Sequence, residues 1–539
     1  MEFYGRQDIL AFLDKRADAL SKGYRQNIAI IGDELIGKTF FLHYWLSRYC
    51  NNYIVPVYLE AVPEEIHSFA ERFIASLLFS FLKNSQIALR EDIGYLLEKS
   101  AHYIPHTCSL IEKLFCQNEK KLKKPAETFT KLLDLPEALY NESGKRCVII
   151  FDEFQRLEDL PVKDIYPGWR KQIMLSKNTM FILVSSKKQA ANKILSSDLD
   201  LLFGNFEKIE LAAFDNKTAL EFVHAKLKAV GAINEISDFI VYFGCGKPFY
   251  LKALCEAFTD YRARYSEVYP AINSLVASLE GIFVDSAGIL HRRFSSIVSE
   301  IENRSSDPGA INVISALALG HNTTPKISHY TTRPKKYIAT VLGELWAGDY
   351  ITKSADVYTL DDKIFAFWLK HIYLNRLKAF ASDLNRQKQI FREELTAIFR
   401  DFSNAQGKAL SQRILELFNQ FNDEAIEVHK KRLRLNHFKE VKLLNINGKR
   451  IKDGIVARAK NSIWITGLKE GKIGEEDVRE FVNICKKFKY NKFQKKIFIT
   501  LNELDANASL IAKEEKISTW DVSFLNSLLD IYGRPRIIR

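Results

Sequence analysis

The chain has 539 residues, of which 47% are apolar and 27% charged; these fractions are ordinary for globular proteins and argue against a wholly disordered chain. At roughly 150 residues per domain, this length predicts about three or four domains. The net charge of +12 and a pI near 9.1 favour polyanionic partners such as nucleic acid, although a basic solvated surface has the same composition. The most apolar run, residues 73–82, is far shorter than the roughly 20 residues of a membrane span, so we expect a core helix and no membrane contact.

The cysteines and the N-terminal residues predict a reducing, cytoplasmic setting. Seven cysteines are scattered along the chain without a C-x-x-C pair, which argues against a disulfide framework and against a zinc ribbon. The first residues lack the charged and apolar regions of a signal peptide, so we expect a cytoplasmic location.

An apolar strand at residues 28–31 runs into a G-x-x-x-x-G-K-T turn. Gly32 and Gly37 allow the backbone to curl so that its N–H groups point at phosphate oxygens, and the following helix adds its positive N-terminal end. We expect Lys38 to contact the β- and γ-phosphates of ATP and the Thr39 hydroxyl to bind Mg²⁺. The predicted nucleotide-binding residues of this P-loop are Gly32, Asp33, Glu34, Leu35, Ile36, Gly37, Lys38, Thr39 and Phe40. The alternative is a glycine-rich turn that binds no nucleotide.

A second apolar run, residues 147–151, ends in the carboxylates of Asp152 and Glu153. The run fits a buried parallel strand whose C-terminal end opens on a ligand crevice. We assign Asp152 to the Mg²⁺ ion and Glu153 to activation of the attacking water, so that Lys38, Asp152 and Glu153 form the predicted catalytic set. The alternative is an ordinary Asp-Glu turn at the end of a strand.

Further strands are predicted at residues 53–59, 180–186 and 207–211, which makes the sheet larger than a simple βαβ unit. The second of these ends in Ser185 and Ser186. Either hydroxyl is placed to sense the γ-phosphate, and a simple cap of the strand is nearly as good an interpretation.

Five segments together resemble the archaeal-type ATPase family, which is placed among the AAA-like and STAND P-loop proteins. They are FYGR at 3–6, GDELIGKT at 32–39, IIFDEFQ at 149–155, ILVSS at 182–186 and FGCGKPFYL at 243–251. The resemblance covers roughly residues 1–375. It implies that Gly5 and Arg6 lie in a segment that wraps over the adenine and that Pro248 contacts the adenine from a helical lid. Family members often carry a Gly-Arg pair after the sensor strand, but this chain has Phe203-Gly204-Asn205, so the source of any arginine trigger stays open.

From residue 311 the pattern changes to short helices followed by short strands. The predicted elements are helices at 311–319, 323–330 and 334–346 and strands at 350–352 and 357–360. This order predicts a winged helix whose recognition helix carries Arg333, Lys335 and Lys336, the residue types that neutralise phosphates and read guanine edges. A winged helix that binds protein or packs on an ATPase lid is the alternative.

The last hundred residues form a new α/β pattern, with strands predicted at 439–444, 454–458, 462–466 and 496–500 and helices at 475–488 and 523–532. This pattern resembles the PD-(D/E)XK nuclease core. That core needs an acid at the end of one strand, and an acid and a lysine two residues apart on the next. Asp453 and Lys469 fit this pattern, but Gly467 stands where the second carboxylate belongs, so we expect a nuclease-like fold that has lost cleavage. The acids considered as substitutes are Glu416, Glu470 and Glu475. A cluster of lysines in this region is interpreted either as a surface with affinity for phosphate or as a merely solvated surface. Its members are Lys486, Lys487, Lys489, Lys492, Lys495 and Lys496.

The predicted fold class is α/β, with an ASCE-type parallel sheet and a C-terminal restriction-endonuclease-like domain. The predicted domains are a P-loop ATPase at 1–214, a helical lid at 215–280, a winged helix at 281–374, a helical linker at 375–430 and a nuclease-like domain at 431–539. We expect an ATP-hydrolysing switch protein whose C-terminal modules bind DNA or RNA. The alternatives are an active ATP-regulated nuclease of a defence or mobile-element system, and an ATP-dependent protein-docking scaffold; a partner protein or a homo-oligomer fits each of them.

Overall fold

The structure, a computed structural model, divides into two compact units. It describes residues 3–83, 89–116, 125–200, 206–231, 234–265, 270–304, 309–378, 383–428, 431–445, 450–451, 453–488, 493–502 and 504–538. The first unit comprises Met1–Thr218, Lys247–Tyr250 and Ala347–Asp349, and the second comprises Ala219–Gly246, Leu251–Trp346 and Tyr350–Arg539. Three parts of the sequence-based predictions lie outside the described residues, namely Phe203-Gly204-Asn205, Lys489 and Lys492.

The first unit alternates helices and strands along the chain. Its helices are α1 (Gln7–Ser21), α2 (Lys38–Arg48), α3 (Ile66–Leu82), α4 (Ile93–Ala101), α5 (Pro105–Cys116), α6 (Pro125–Ser143), α7 (Ile165–Leu175) and α8 (Lys188–Lys193). Its strands are β1 (Ile28–Ile31), β2 (Ile54–Glu60), β3 (Arg146–Asp152), β4 (Thr179–Ser185) and β5 (Glu207–Glu210).

The described strands of the first unit form one five-stranded parallel sheet in the order β2-β3-β4-β1-β5. Strand β4 therefore lies between β1, which leads into the P-loop, and β3, which ends at Asp152. This inserted strand is the defining feature of an ASCE-type sheet, so the predicted α/β fold class is confirmed. The pairing of Ile31 with Ser185 and of Asp152 with Val184 brings the C-terminal ends of β1, β3 and β4 to one edge of the sheet.

Helices cover both faces of this sheet, which explains why β1 and β4 are buried along their whole length. Helices α3, α6 and α7 pack on one face through side chains such as Phe73 and Trp169. Helices α1 and α2 pack on the other face, where Trp45 is fully buried. The apolar run at 73–82 lies in α3 and is a core helix as predicted. Over the described ranges, the protein has no helix long and apolar enough to span a membrane.

The second unit holds all or most of each remaining element. Its helices are α9 (Asn216–Leu227), α10 (Asn234–Gly244), α11 (Pro248–Tyr265), α12 (Ala271–Phe283), α13 (Ile289–Arg304), α14 (Ala310–Ala318), α15 (Thr324–Thr331), α16 (Lys335–Ala347), α17 (Lys363–Trp368), α18 (Leu374–Lys378), α19 (Leu384–Gln406), α20 (Leu410–Phe418), α21 (Glu475–Lys487), α22 (Ala506–Glu514) and α23 (Val522–Ile531). Its strands are β6 (Ile351–Ser354), β7 (Val357–Leu360), β8 (Glu424–Val428), β9 (Lys431–Leu435), β10 (Glu440–Asn445), β11 (Asp453–Arg458), β12 (Ser462–Lys469), β13 (Phe493–Thr500) and β14 (Ile517–Trp520). The starts of α9 and α11 and the last residue of α16 belong to the first unit.

Helices α14, α15 and α16 are followed by the antiparallel hairpin β6–β7, which is the element order predicted from the sequence. This hairpin is fastened to the C-terminal region. The Ser354 hydroxyl donates a hydrogen bond to the carbonyl oxygen of Glu427 (2.9 Å) and accepts one from the Glu427 N–H (2.7 Å). Val357 of β7 is fully buried in the same apolar core as Ile426 of β8. The interpretation of these three helices and their hairpin as a winged helix stays a prediction.

The C-terminal described strands form a mixed five-stranded sheet in the order β10-β11-β12-β13-β14. Strands β10, β11 and β12 pair antiparallel, whereas β12, β13 and β14 pair parallel. Helices α20 and α23 pack on one face, where Trp464 lies in the core. Helices α21 and α22 pack on the opposite face, where Phe481 lies in the core.

Gly467 lies where β12 packs against Phe481 of α21. A β-carbon at this position would lie 2.8 Å from Cδ2 of Phe481, a distance that real β-carbons essentially never show. The position therefore has no room for a carboxylate side chain unless α21 moves.

We expect Gly467→Ala to lower the unfolding midpoint, because overpacking between strand and helix costs roughly 1–3 kcal/mol. The matched control is Gly471→Ala, where the nearest atom to the new β-carbon is Cε of Lys469 at 3.9 Å. Thermal unfolding followed by circular dichroism compares the two variants. Equal midpoints for them would show that α21 shifts without cost.

Candidate functional site

The P-loop joins the C-terminal end of β1 to the first turn of α2. Leu35 has a φ of 68° and Gly37 a φ of 80°, both in the left-handed region, and these two residues curl the loop. The Phe249 N–H donates a hydrogen bond to the carbonyl oxygen of Leu35 (3.4 Å). Because Pro248 immediately precedes Phe249 and opens α11, this bond brings the predicted adenine contact to the P-loop.

Lys38 lies inside this loop. Its side chain is buried, and its Nζ donates hydrogen bonds to the carbonyl oxygens of Gly32 (3.1 Å) and Asp33 (2.9 Å). Burial lowers the pKa of Lys38, while the carboxylates of Glu153 and Asp152 act in the opposite direction. The ammonium group is therefore held against the loop backbone, close enough to both acidic residues to interact with their charge.

Asp152 and Thr39, the two predicted Mg²⁺ ligands, are in direct contact. The Thr39 hydroxyl donates to Oδ2 of Asp152 (2.7 Å), and the Tyr58 hydroxyl donates to the same oxygen (2.9 Å). Burial raises the pKa of Asp152, and the two hydroxyl donors oppose that rise. Hydroxyl and carboxylate oxygens are the ligands that Mg²⁺ prefers, so these residues fit the ion.

Tyr58 was not predicted as a site residue. It lies on β2 opposite Ile150 of β3, two residues before each strand reaches its polar end. The sequence signal that could have found it is a tyrosine near the C-terminal end of a buried strand, since a buried tyrosine hydroxyl needs a hydrogen-bond partner.

Glu153 is held by three donors. Its Oε2 accepts hydrogen bonds from Nε2 of Gln155 (2.7 Å), from the N–H of Ser186 (3.0 Å) and from the hydroxyl of Ser186 (2.7 Å). Ser185 is buried, and its hydroxyl donates to Oε1 of Gln155 (2.6 Å). The two predicted sensor serines thus form one hydrogen-bonded group with the predicted water-activating carboxylate, and Gln155 is a member that the sequence interpretation left out.

Arg6 is also part of the P-loop structure. Its Nη2 donates hydrogen bonds to the carbonyl oxygens of Ile36 (2.6 Å) and Ala212 (3.0 Å), and its guanidinium lies 5.1 Å from the ring centre of Phe214. Burial lowers the pKa of Arg6 to about 10. These bonds place the segment of Gly5 and Arg6 next to the P-loop, and its position over the adenine stays a prediction.

Phe40 is partly exposed at the start of α2. Its ring stacks on that of Phe3, with a distance of 6.4 Å between the ring centres. The N-terminal segment therefore contacts the second half of the P-loop, through Arg6 at Ile36 and through Phe3 at Phe40.

The predicted nucleic-acid residues lie at the N-terminal end of α16. Arg333 precedes the helix, while Lys335 and Lys336 are its first two residues, and all three are exposed. The Arg333 guanidinium lies 5.6 Å from the ring centre of Tyr337. Three positive charges therefore coincide with the positive end of the helix dipole, an arrangement that attracts phosphate groups.

Asp453 and Lys469 lie at adjoining ends of β11 and β12, and alternation assigns their side chains to opposite faces of the sheet. Asp453 pairs with Leu468, and paired residues share a face of an antiparallel sheet. Leu468 and Ile455 lie in the core against α20, so alternation places Asp453 on that face. Lys469 points the other way, because its Nζ contacts Oδ2 of Asp477 on α21 (2.7 Å).

On the face of Asp453, the nearest residues of β12 are therefore Thr466 and Leu468. Gly467 and Lys469 belong to the other alternation of β12, since one residue of offset inverts every side chain of a strand. Their grouping with Asp453 in a nuclease-like site stays a prediction. The Thr466 hydroxyl donates to the carbonyl oxygen of Ile455 (3.2 Å) within the sheet. The ion pair of Lys469 with Asp477 instead fixes the start of α21, where Asp477 also accepts from the N–H of Gly474 (2.8 Å).

Two of the three acids considered as substitutes form ion pairs. Glu416 pairs with Lys408 (2.6 Å), and Glu475 pairs with Arg479 (3.8 Å). The backbone carbonyl of Glu470 accepts a hydrogen bond from Nδ2 of Asn502. Across the part of the chain that the structure describes, no three or more His, Cys, Asp or Glu side chains are grouped so as to hold a metal ion.

The predicted lysine cluster divides into separate environments. Lys486 and Lys487 are exposed at the end of α21. The Lys495 ammonium lies 4.0 Å from the ring centre of Trp464, and burial lowers the pKa of Lys495 to about 8. Lys496 pairs with Glu515 (3.7 Å) on the opposite side of β13.

Comparisons with known proteins found similarity to different kinds of protein. Residues 414–529 match the family model Mrr_cat, described as restriction endonuclease. An uncharacterized ATP-binding protein of Pyrococcus horikoshii, PH0541, is 28% identical over 224 residues, which cover 40% of this chain and 63% of that protein. An uncharacterized ATP-binding protein of Methanocaldococcus jannaschii, MJECL15, is 25% identical over 167 residues, which cover 29% of this chain and 44% of that protein. The chain thus spans less than two thirds of either relative.

Two solved structures are similar at low identity. The Walker-type ATPase PABY2304 of Pyrococcus abyssi is 18% identical, with a TM-score of 0.45 and coverage of 68% of this chain and 96% of that chain. The ORC2 protein of Aeropyrum pernix is 12% identical, with a TM-score of 0.43 and coverage of 74% and 96%. By the family model and the two archaeal relatives, the chain combines a region similar to archaeal ATP-binding proteins with a C-terminal restriction-endonuclease-like domain.

Proposed function

We propose that the protein is an ATP-hydrolysing switch whose C-terminal modules bind nucleic acid. The observation that carries the proposal is the convergence of Lys38, Thr39, Asp152 and Glu153 at one edge of the parallel sheet. When bound, Mg²⁺ would neutralise phosphate charge and fix the phosphate geometry. Thr39 and Asp152 have the oxygens to hold it.

The protein's own groups supply the remaining steps. Lys38 binds phosphate by exchanging the carbonyls of Gly32 and Asp33 for phosphate oxygens, which gives its buried charge a stronger partner. Glu153 accepts the proton of the attacking water through its carboxylate, and its bonds from Ser186 and Gln155 orient it. These two donors also couple the state of Glu153 to the end of β4.

Nucleic-acid binding is supported by the exposed Arg333, Lys335 and Lys336 at a helix N-terminus and by the net charge of +12. The residues nearest Asp453 on β12 support the loss of cleavage. Thr466 and Leu468 offer neither a carboxylate nor an ammonium group beside Asp453. The second candidate, an ATP-regulated nuclease, is favoured by the restriction-endonuclease match over residues 414–529.

We expect Lys38→Ala to lose nearly all ATP binding, because the charge that faces the phosphates is removed. Glu153→Gln should keep binding but lower turnover by roughly 10²-fold or more, since an amide cannot accept the proton of water. Calorimetric titration with ATP and a phosphate-release assay separate the two effects. Normal turnover by the Glu153→Gln protein would show that another group activates the water.

We expect the triple replacement of Arg333, Lys335 and Lys336 by alanine to weaken nucleic-acid binding and to flatten its salt dependence. For every phosphate that the variant no longer neutralises, the slope of log K against log salt should fall by about 0.9 on duplex DNA. The control is Lys252→Ala, an exposed lysine that pairs with Glu256. Binding by fluorescence anisotropy at several salt concentrations tests this, and an unchanged slope would leave α16 without a role in phosphate binding.

ATP turnover with single- and double-stranded DNA and RNA, in Mg²⁺ and in Mn²⁺, distinguishes the switch from the nuclease when the strands are afterwards run on a gel. We expect nucleic acid to stimulate turnover and the strands to stay intact. Cuts that disappear in the Asp453→Ala protein would establish the nuclease instead. Cuts that persist in that variant would come from a contaminating enzyme.

A further inference from the structure

The P-loop carries two carboxylates, Asp33 and Glu34, directly beside the proposed triphosphate site. Both side chains are partly exposed, at 43% each. ATP carries a charge of about −4, which one Mg²⁺ ion reduces to about −2, so two uncompensated carboxylates in the loop would repel it.

Each of these carboxylates forms an ion pair with one of two lysines that follow β4. Nζ of Lys187 lies 3.1 Å from Oε1 of Glu34, and Nζ of Lys188 lies 2.8 Å from Oδ1 of Asp33. Lys188 also lies 3.4 Å from Oε1 of Glu210. Burial acts to lower the pKa of Lys188, but Asp33 and Glu210 outweigh it and raise that pKa, so this lysine is a cation at neutral pH.

The turn that carries both lysines is fixed at each end. The Lys187 N–H donates to the hydroxyl oxygen of Ser185 (3.0 Å), and Nζ of Lys187 reaches the carbonyl oxygen of Gly348 (3.5 Å). The Gln189 N–H donates to both carboxylate oxygens of Asp349 (3.2 and 3.0 Å). Since Ser186 binds Glu153, one short turn holds the P-loop acids and the water-activating carboxylate together.

We propose that Lys187 and Lys188 are positioning residues of the nucleotide site, which neutralise Asp33 and Glu34 and so allow the P-loop to accept a triphosphate. The inference rests on the proposed ATP site. The proposal predicts a difference between ligands, because neutralising the two carboxylates favours a ligand more strongly as its negative charge increases. Affinity for ATP should therefore depend on the two lysines more strongly than affinity for ADP.

The test is a double-mutant cycle on the full-length protein, with MgATP and MgADP binding measured by calorimetry. We expect Lys188→Met to raise the Kd for ATP by about tenfold and the Kd for ADP by less. Asp33→Asn should bind ATP a few-fold more tightly than wild type. The double variant Lys188→Met/Asp33→Asn should regain most of the ATP affinity, because the carboxylate that needed neutralising is gone.

Two controls keep the result interpretable. Lys193→Met, at an exposed lysine on α8, should leave both dissociation constants unchanged, and Lys188→Arg should preserve ATP affinity because it preserves the charge. If Lys188→Met unfolds, the cycle of Lys187→Met with Glu34→Gln tests the same proposal at the second pair.

A double variant that binds ATP as weakly as Lys188→Met would overturn the proposal, since the lysine would then act on the phosphate directly and not through Asp33. Equal losses for ATP and ADP would also overturn it. A wild-type protein that binds no ATP would instead refute the proposed function, which separates the two failures.

Discussion

The hydrogen bond between Thr39 and Asp152 is the contact on which the nucleotide site depends. It joins the end of the P-loop to the end of β3, and it exists because β4 separates β1 from β3 while keeping their ends at one edge. Burial works against the charge on Asp152, and the hydroxyls of Thr39 and Tyr58 offset that penalty. A carboxylate stabilised by two donors is available for a cation as soon as one arrives.

Glu153, like Asp152, is held by hydrogen-bond donors of the protein. A carboxylate that accepts from Ser186 and Gln155 is oriented by the protein before any ligand binds. Preorganised groups of this kind contribute to catalysis because no reorganisation is needed when charge develops. All three donors bond to Oε2, which links the orientation of Glu153 to the position of the strand end.

Much of the first unit could be predicted from the sequence, because continuous apolar runs such as residues 28–31 and 147–151 have few alternatives to buried parallel strands. The contacts of Tyr58, Lys187 and Lys188 could not be predicted in this way. They depend on which strands lie side by side, and a linear pattern does not carry the order in which strands assemble.

In the C-terminal region, the sequence predicted the strands more successfully than the directions of their side chains. The strands at β11 and β12 were predicted, but the face to which Asp453 points follows from its pairing with Leu468, and a shift of one residue reverses the conclusion. Strand β14 and helix α22 were not predicted, because each is short and gains its stability from packing in the sheet and its cores. Helix α20 lies in the segment predicted as a linker, yet Ile414 is buried in the core beneath β11 and β12.

The attachment of Ser354 to Glu427, together with the burial of Val357, has a mechanical consequence. The β6–β7 hairpin and the C-terminal sheet share a core, so neither can rotate without the other. A nucleic acid that touched both would therefore meet two contact points at a constant separation.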